Sequence, residues 1–182
     1  MHEVSLNRLI TDYITGQEIM DTTYEDLRQA LARMLVEDKK YPRACVQPKH
    51  IVHYKIAGEP QEATIDIAVM DASGNPLLAM FFCPGEVGTF IRESLAAARV
   101  HDTTPFPLVA VTDSMEIQLV ATHSGEVIGS GFYALPIWSN LHELAREHPC
   151  PVPSTERLAR EKRILYAYDG LGGPCCGGQC SL

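Results

Sequence analysis

Apolar residues at Leu27, Ala30, Leu31, Met34 and Leu35 recur at the 3.6-residue spacing of one helix face. Thr22, with Glu25 three residues on, fits a capping box at the start of that helix. Lys39-Lys40-Tyr41-Pro42 ends it, because proline cannot continue a helix. The period then changes to two. Ile51 to Ile56 is rich in β-branched and aromatic residues and predicts a strand. From Glu62 to Met70 the residues Ala63, Ile65, Ile67 and Val69 alternate with Thr64, Asp66 and Ala68, which predicts a strand with two unlike faces. Asp71-Ala72-Ser73-Gly74-Asn75-Pro76 is a turn, and Leu77 to Cys83 is apolar throughout, as a strand buried on both faces would be.

Downstream the pattern predicts a helix from Gly85–Gly88 to Val100, with Phe90, Ile91, Leu95 and Ala98 on its buried face. Strands follow at Pro107 to Thr112 and Ile117 to Ala121, then a Ser124-Gly125 turn before Glu126-Val127-Ile128. Helices near Asn140 to Glu147 and Thr155 to Tyr168 close the ordered part, the second capped by Ser154 and stopped at Gly170. The first 20 residues read as a lead-in with one short helix or strand, and no internal repeat is visible. The fold class is α/β, a mixed central sheet flanked by helices. The organisation is a main unit over residues 1–135 and a helical extension over 136–182 with a Cys- and Gly-rich tail.

Composition narrows the function. Charged residues are 21% and hydrophobic residues 46%, so the chain has a core to bury and a disordered reading is set aside. A net charge of -8 opposes non-specific binding to phosphate backbones. No apolar run reaches the ~20 residues of a membrane span, and Met1 to Ile10 shows no signal-peptide pattern. The expected compartment is therefore the cytoplasm, where six cysteines read as thiols or metal ligands rather than disulfides.

Several segments, in order, carry a resemblance. They are Asp21 to Leu31 with Leu35 to Pro42, Thr64-Ile65-Asp66-Ile67-Ala68-Val69, the strand ending Met80-Phe81-Phe82-Cys83-Pro84, and Pro107 to Asp113. Together, over roughly residues 10–130, they resemble the N-terminal domain of type I restriction enzyme R subunits, a PD-(D/E)XK nuclease-like fold. The resemblance implies a restriction-endonuclease-like core and, in active relatives, magnesium-dependent DNA cleavage. Carboxylates from two strands would hold the metal, and a lysine would help activate water. Asp66 matches the acidic strand and Glu25 the acidic helix position. The third strand of the family ends Glu-x-Lys-x-Pro, and here those slots hold Met80 and Phe82. A one-residue slip offers Ala79 and Phe81 instead. None of these side chains can bind magnesium or move a proton. The family's Gln-x-x-x-Tyr on the next helix is also absent, that helix reading Arg92 to Arg99.

The expectation is a catalytically inactive nuclease-like domain serving as a binding or assembly module, with Asp66 and Glu25 vestigial and no cofactor. The sequence names no partner: the resemblance points to DNA and the net charge away from it, a protein is the other candidate, and no membrane is expected. Two alternatives stand beside it. One is an active magnesium nuclease with a migrated site at Asp66, Glu25 and Glu86. The other is a metal- or redox-responsive protein using Cys150, Cys175, Cys176 and Cys180. The Cys-Cys-x3-Cys spacing is irregular for zinc, so zinc is not expected there. His50 and His53, three apart on a strand, point to opposite faces and make no catalytic pair. Arg157, Arg160, Lys162 and Arg163 read as a solvated helix face diluted by Glu156 and Glu161.

Overall fold

The structure, a computed structural model, describes residues 4–83, 85–101 and 104–172. In chain order the elements are β1 (Ser5–Thr11), β2 (Glu18–Thr22), α1 (Glu25–Glu37), β3 (Val46–Ile56), β4 (Glu59–Met70), β5 (Pro76–Phe82), α2 (Val87–Val100), β6 (Leu108–Thr112), β7 (Ile117–Ala121), β8 (Val127–Ser130), α3 (Trp138–Glu147) and α4 (Thr155–Gly172). Strands β3 to β8 form one six-stranded sheet in sequence order, and β1 with β2 forms a separate pair. Within the large sheet only β5 and β6 run parallel. A parallel pair needs a long crossover, and α2 supplies it.

Apolar side chains fill both sides of this sheet. On one side Leu31 and Leu35 of α1 and Leu141 of α3 meet Ile67, Leu78 and Met80. On the other, Leu95, Ala96 and Ala97 of α2 and Leu165 of α4 meet Ala68, Ala79, Val109 and Val111. Strands β5 and β6 lie between the layers, which is why their sequences are apolar without alternation. The mixed α/β architecture predicted from the pattern is the one observed, and β7 has the predicted limits.

The structure departs from the sequence pattern in four places. The lead-in is a hairpin, β1 with β2, whose large apolar residues Leu6, Leu9 and Met20 are exposed and so give little periodic signal. Helix α1 starts at Glu25, with Tyr24 at the N-cap and no side-chain cap. Thr22 ends β2 instead of capping, and Glu25 turns inward to buried cations. Helix α4 continues past Gly170 to Gly172. Finally, the alternation of β4 fails. Ile67 and Val69 join the α1 layer while Ile65 and Ala63 join the α2 layer. The break falls beside Lys49 on β3, which takes a left-handed φ of 49° between the paired positions Pro48 and His50.

Candidate functional site

A cleft of about 530 Å³ opens where β4 and β5 part. Its walls include Lys49 and Tyr54 of β3, Asp66 of β4, Phe81 of β5, Glu93 of α2 and Leu165 of α4. The ladder explains the opening. Ile67 pairs with Met80 and Ala68 with Ala79, and past Ile67 no further β4–β5 pair forms. The next donor on β5, the Phe82 N–H, is taken by the side chain of Asp66, whose Oδ2 accepts it at 2.7 Å. The carboxylate thus satisfies a backbone group that the ladder has left behind.

That register sorts the third-strand residues. Met80 faces the α1 layer with Ile67, and it is 1% exposed. Phe82 is 6% exposed and joins the same cluster, its ring tilted against Tyr24 at a centroid distance of 5.4 Å. Both side chains of the Glu-x-Lys slots are therefore core residues. Phe81, from the slipped register, packs toward the α2 layer, and both Phe81 and Phe82 border the cleft. On either register the strand offers Asp66 neither an oxygen ligand nor an amine.

Glu25 sits in a different environment. It is buried with Asp12 and Arg28. The Arg28 guanidinium bridges both carboxylates, donating through Nε to Glu25 Oε1 at 2.7 Å and through Nη2 to Glu25 and to Asp12 Oδ2. Lys49 Nζ lies 3.1 Å from Glu25 Oε2. The Gln29 amide donates to Asp12 at 2.9 Å and to Glu25 at 3.0 Å. Burial pushes the Glu25 carboxyl upward, but Arg28 and then Lys49 outweigh it and hold Glu25 below the usual carboxylate range. Asp12 is likewise held low, since Arg28, the Thr15 N–H and Gln29 overcome the burial penalty. Lys49 thus links this buried network to the cleft containing Asp66.

Magnesium would need several hard oxygen ligands around an open position. Glu25 is ion-paired to Arg28 and Lys49, and neither it nor Glu86 lines the cleft, whereas Glu62 and Glu93 line it with Asp66. Glu86 is exposed at the N-cap of α2. Among the described residues, no group of three His, Cys, Asp or Glu side chains gathers to hold an ion.

Cys150 is half-buried and free. Burial pushes its thiol up, against Arg99 and Arg157 nearby. Cys175, Cys176 and Cys180 lie outside the described residues, as does Pro84. Sequence reasoning missed two associations that bring distant residues together. Glu161 of α4 is buried between Arg99 at 3.0 Å and Arg92 at 2.6 Å, with Arg157 at 3.7 Å. Arg99 also donates to the Thr122 carbonyl at 2.9 Å through Nε. Burial holds the Arg99 guanidinium below its ordinary value; Glu161 opposes the shift, and Arg157 and Arg92 add to it. The second association is His50 with His101, whose Nε2 atoms are 3.1 Å apart. Separations of this length leave no periodic trace. Glu161, read from the sequence as part of a solvated helix face, instead turns inward to Arg99, with Arg157 one turn before it.

A mixed six-stranded sheet, a helix crossing between its parallel strands and a cleft at the parting of β4 and β5 define an α/β protein with a restriction-endonuclease-like core. Residues 23–136, more than half of the chain, match the family described as type I restriction enzyme R protein N terminus, and the chain belongs to that family. No curated protein and no solved structure matches it. Helix α4, which contributes Leu165 to the cleft, lies beyond the matched residues. No helix among the described residues is long and apolar enough to cross a membrane.

Proposed function

We propose that this chain uses the restriction-enzyme fold as a catalytically silent binding or assembly module in the cytoplasm. The observation that carries the reading is the third strand. Where a PD-(D/E)XK nuclease presents a carboxylate and a lysine, this strand buries Met80 and Phe82 in the core. The remaining acids have structural employment. Asp66 holds the Phe82 amide, and Glu25 is neutralised by Arg28 and Lys49. In this reading residues 1–135 are the nuclease-like unit, and 136–182 are an extension whose Leu165 borders the cleft. The partner is a protein rather than a DNA backbone, in keeping with the net charge of -8.

The test is incubation of the purified chain with single- and double-stranded DNA in magnesium and in manganese. No cleavage is expected. Metal-dependent cleavage abolished by Asp66→Ala would overturn the reading in favour of a migrated nuclease site. Stability gives a second check. The double substitution Met80→Glu with Phe82→Lys is expected to lower the unfolding free energy by several kcal/mol, because it places charges in an apolar layer. A double variant as stable as the parent would show that these positions tolerate catalytic side chains.

A further inference from the structure

We propose that His50 and His101 form a two-imidazole site for a borderline divalent transition-metal ion such as Zn2+. The rings come from β3 and from the residue that follows α2, and both are half-buried. His101 packs edge-on to the buried Phe106 ring at a centroid distance of 4.8 Å, with His50 beside it at 5.2 Å. The outer nitrogens fix the tautomers. His101 Nδ1 is 2.8 Å from the Thr104 carbonyl, which can only accept, so this nitrogen carries the proton. His50 Nδ1 is 3.0 Å from Gln47 Oε1, which sets the same tautomer. In the neutral rings both Nε2 lone pairs then point at one another across 3.1 Å. Two neutral lone pairs repel at that distance, and a shared cation removes the repulsion. Nitrogens bound at about 2.0–2.1 Å to one ion lie about 2.9 Å apart at a right angle and about 3.3 Å apart in a tetrahedron. The observed separation falls between these. An Nδ1–H donated outward to an oxygen, with Nε2 facing the metal, is also how ligating histidines are oriented. Among the described residues no third His, Cys, Asp or Glu joins them. An ion bound there would tie β3 to the segment that follows α2.

The experiment titrates metal-free full-length protein with Zn2+ and follows the imidazole nitrogens by 15N NMR. The expected result is a stoichiometric shift of the His50 and His101 Nε2 signals, together with at least a ~10-fold loss of that affinity in His50→Gln and in His101→Gln. His53→Gln, at an exposed ring paired with Glu62 at 3.2 Å, is expected to leave the affinity unchanged. Two results would overturn the proposal. One is zinc bound with neither His50 nor His101 shifting, which would assign the metal to the cysteines. The other is no zinc binding, with one ring showing an Nε2–H that donates to the other. Either a ring protonated on both nitrogens or a reversed Gln47 amide would produce it, and the contact would be a plain hydrogen bond between the rings.

Discussion

The corner around Arg28 and the seam around Arg99 both bury charge, but with opposite balance. At the corner two buried carboxylates, Asp12 and Glu25, share one buried guanidinium, with Lys49 completing the neutralisation. At the seam a single buried carboxylate, Glu161, serves three arginines. The corner has no cation to spare, since Arg28 alone touches both acids. The seam has cations in excess, and Arg92 and Arg157 remain partly solvated. The difference shows that a buried ion pair cannot be valued by its distances alone. What matters is which charge is left stranded when one partner goes.

The sharpest way to break the contrast is to remove the two buried arginines in turn. Arg28→Met leaves Asp12 without this guanidinium and Glu25 with Lys49 alone, and is expected to cost about 3–5 kcal/mol in urea unfolding. Arg99→Met leaves Glu161 with Arg92 and Arg157 and is expected to cost less, about 1–3 kcal/mol. Equal losses would remove the distinction. Acid offers an intermediate test. The folded-state pKa values of Asp12 and Glu25 lie below their ordinary values. Their contribution is therefore complete above the unfolded carboxylate range, about pH 4, and is lost as pH falls through the depressed folded values. The unfolding free energy is expected to fall below about pH 4, and Glu25→Gln to flatten that fall. A Glu25→Gln variant with the parent's pH slope would dissociate the corner from acid sensitivity. The smallest effect concerns how the seam is entered. Ser154 Oγ accepts the Arg157 N–H at 3.3 Å and caps α4. Ser154→Ala is expected to cost about 1 kcal/mol by thermal unfolding, without altering the corner's pH response.

Much of the fold was legible because its elements are locally periodic. Leu27 to Leu35 gave α1 its apolar face, the Asp71–Pro76 turn separated β4 from β5, and the unbroken apolar run of β5 announced a central strand. The β1–β2 hairpin was not legible, since it buries too little for its residues to alternate. The site was legible by residue type. Asp66 in an acidic strand and Met80 and Phe82 in the expected catalytic slots are sequence facts. Their directions were not. The loss of alternation in β4 beside Lys49 puts Ile67 and Val69 in the α1 layer and Ile65 in the α2 layer, and Phe81 and Phe82 both border the cleft with Asp66. Glu25 carried the signature of a cap, yet a cap and a buried salt-bridge acid look alike until Arg28, Asp12 and Lys49 converge on it. His101 and Glu161 were hidden by separation, being 51 and 62 residues from their partners.

Because the Asp66 carboxylate closes the Phe82 amide where two strands separate, selection on folding alone can keep an acid at this position. Losing it would leave a donor at a strand end without its acceptor, and such a change is purged whether or not any bond is ever cut. Among descendants of a common ancestor, then, the aspartate is a poor witness to activity. In this chain the departure from the family's pattern falls on β5, at Met80 and Phe82. An acid on β4 is therefore no evidence of cleavage by itself, and the β5 residues are the ones to weigh with it.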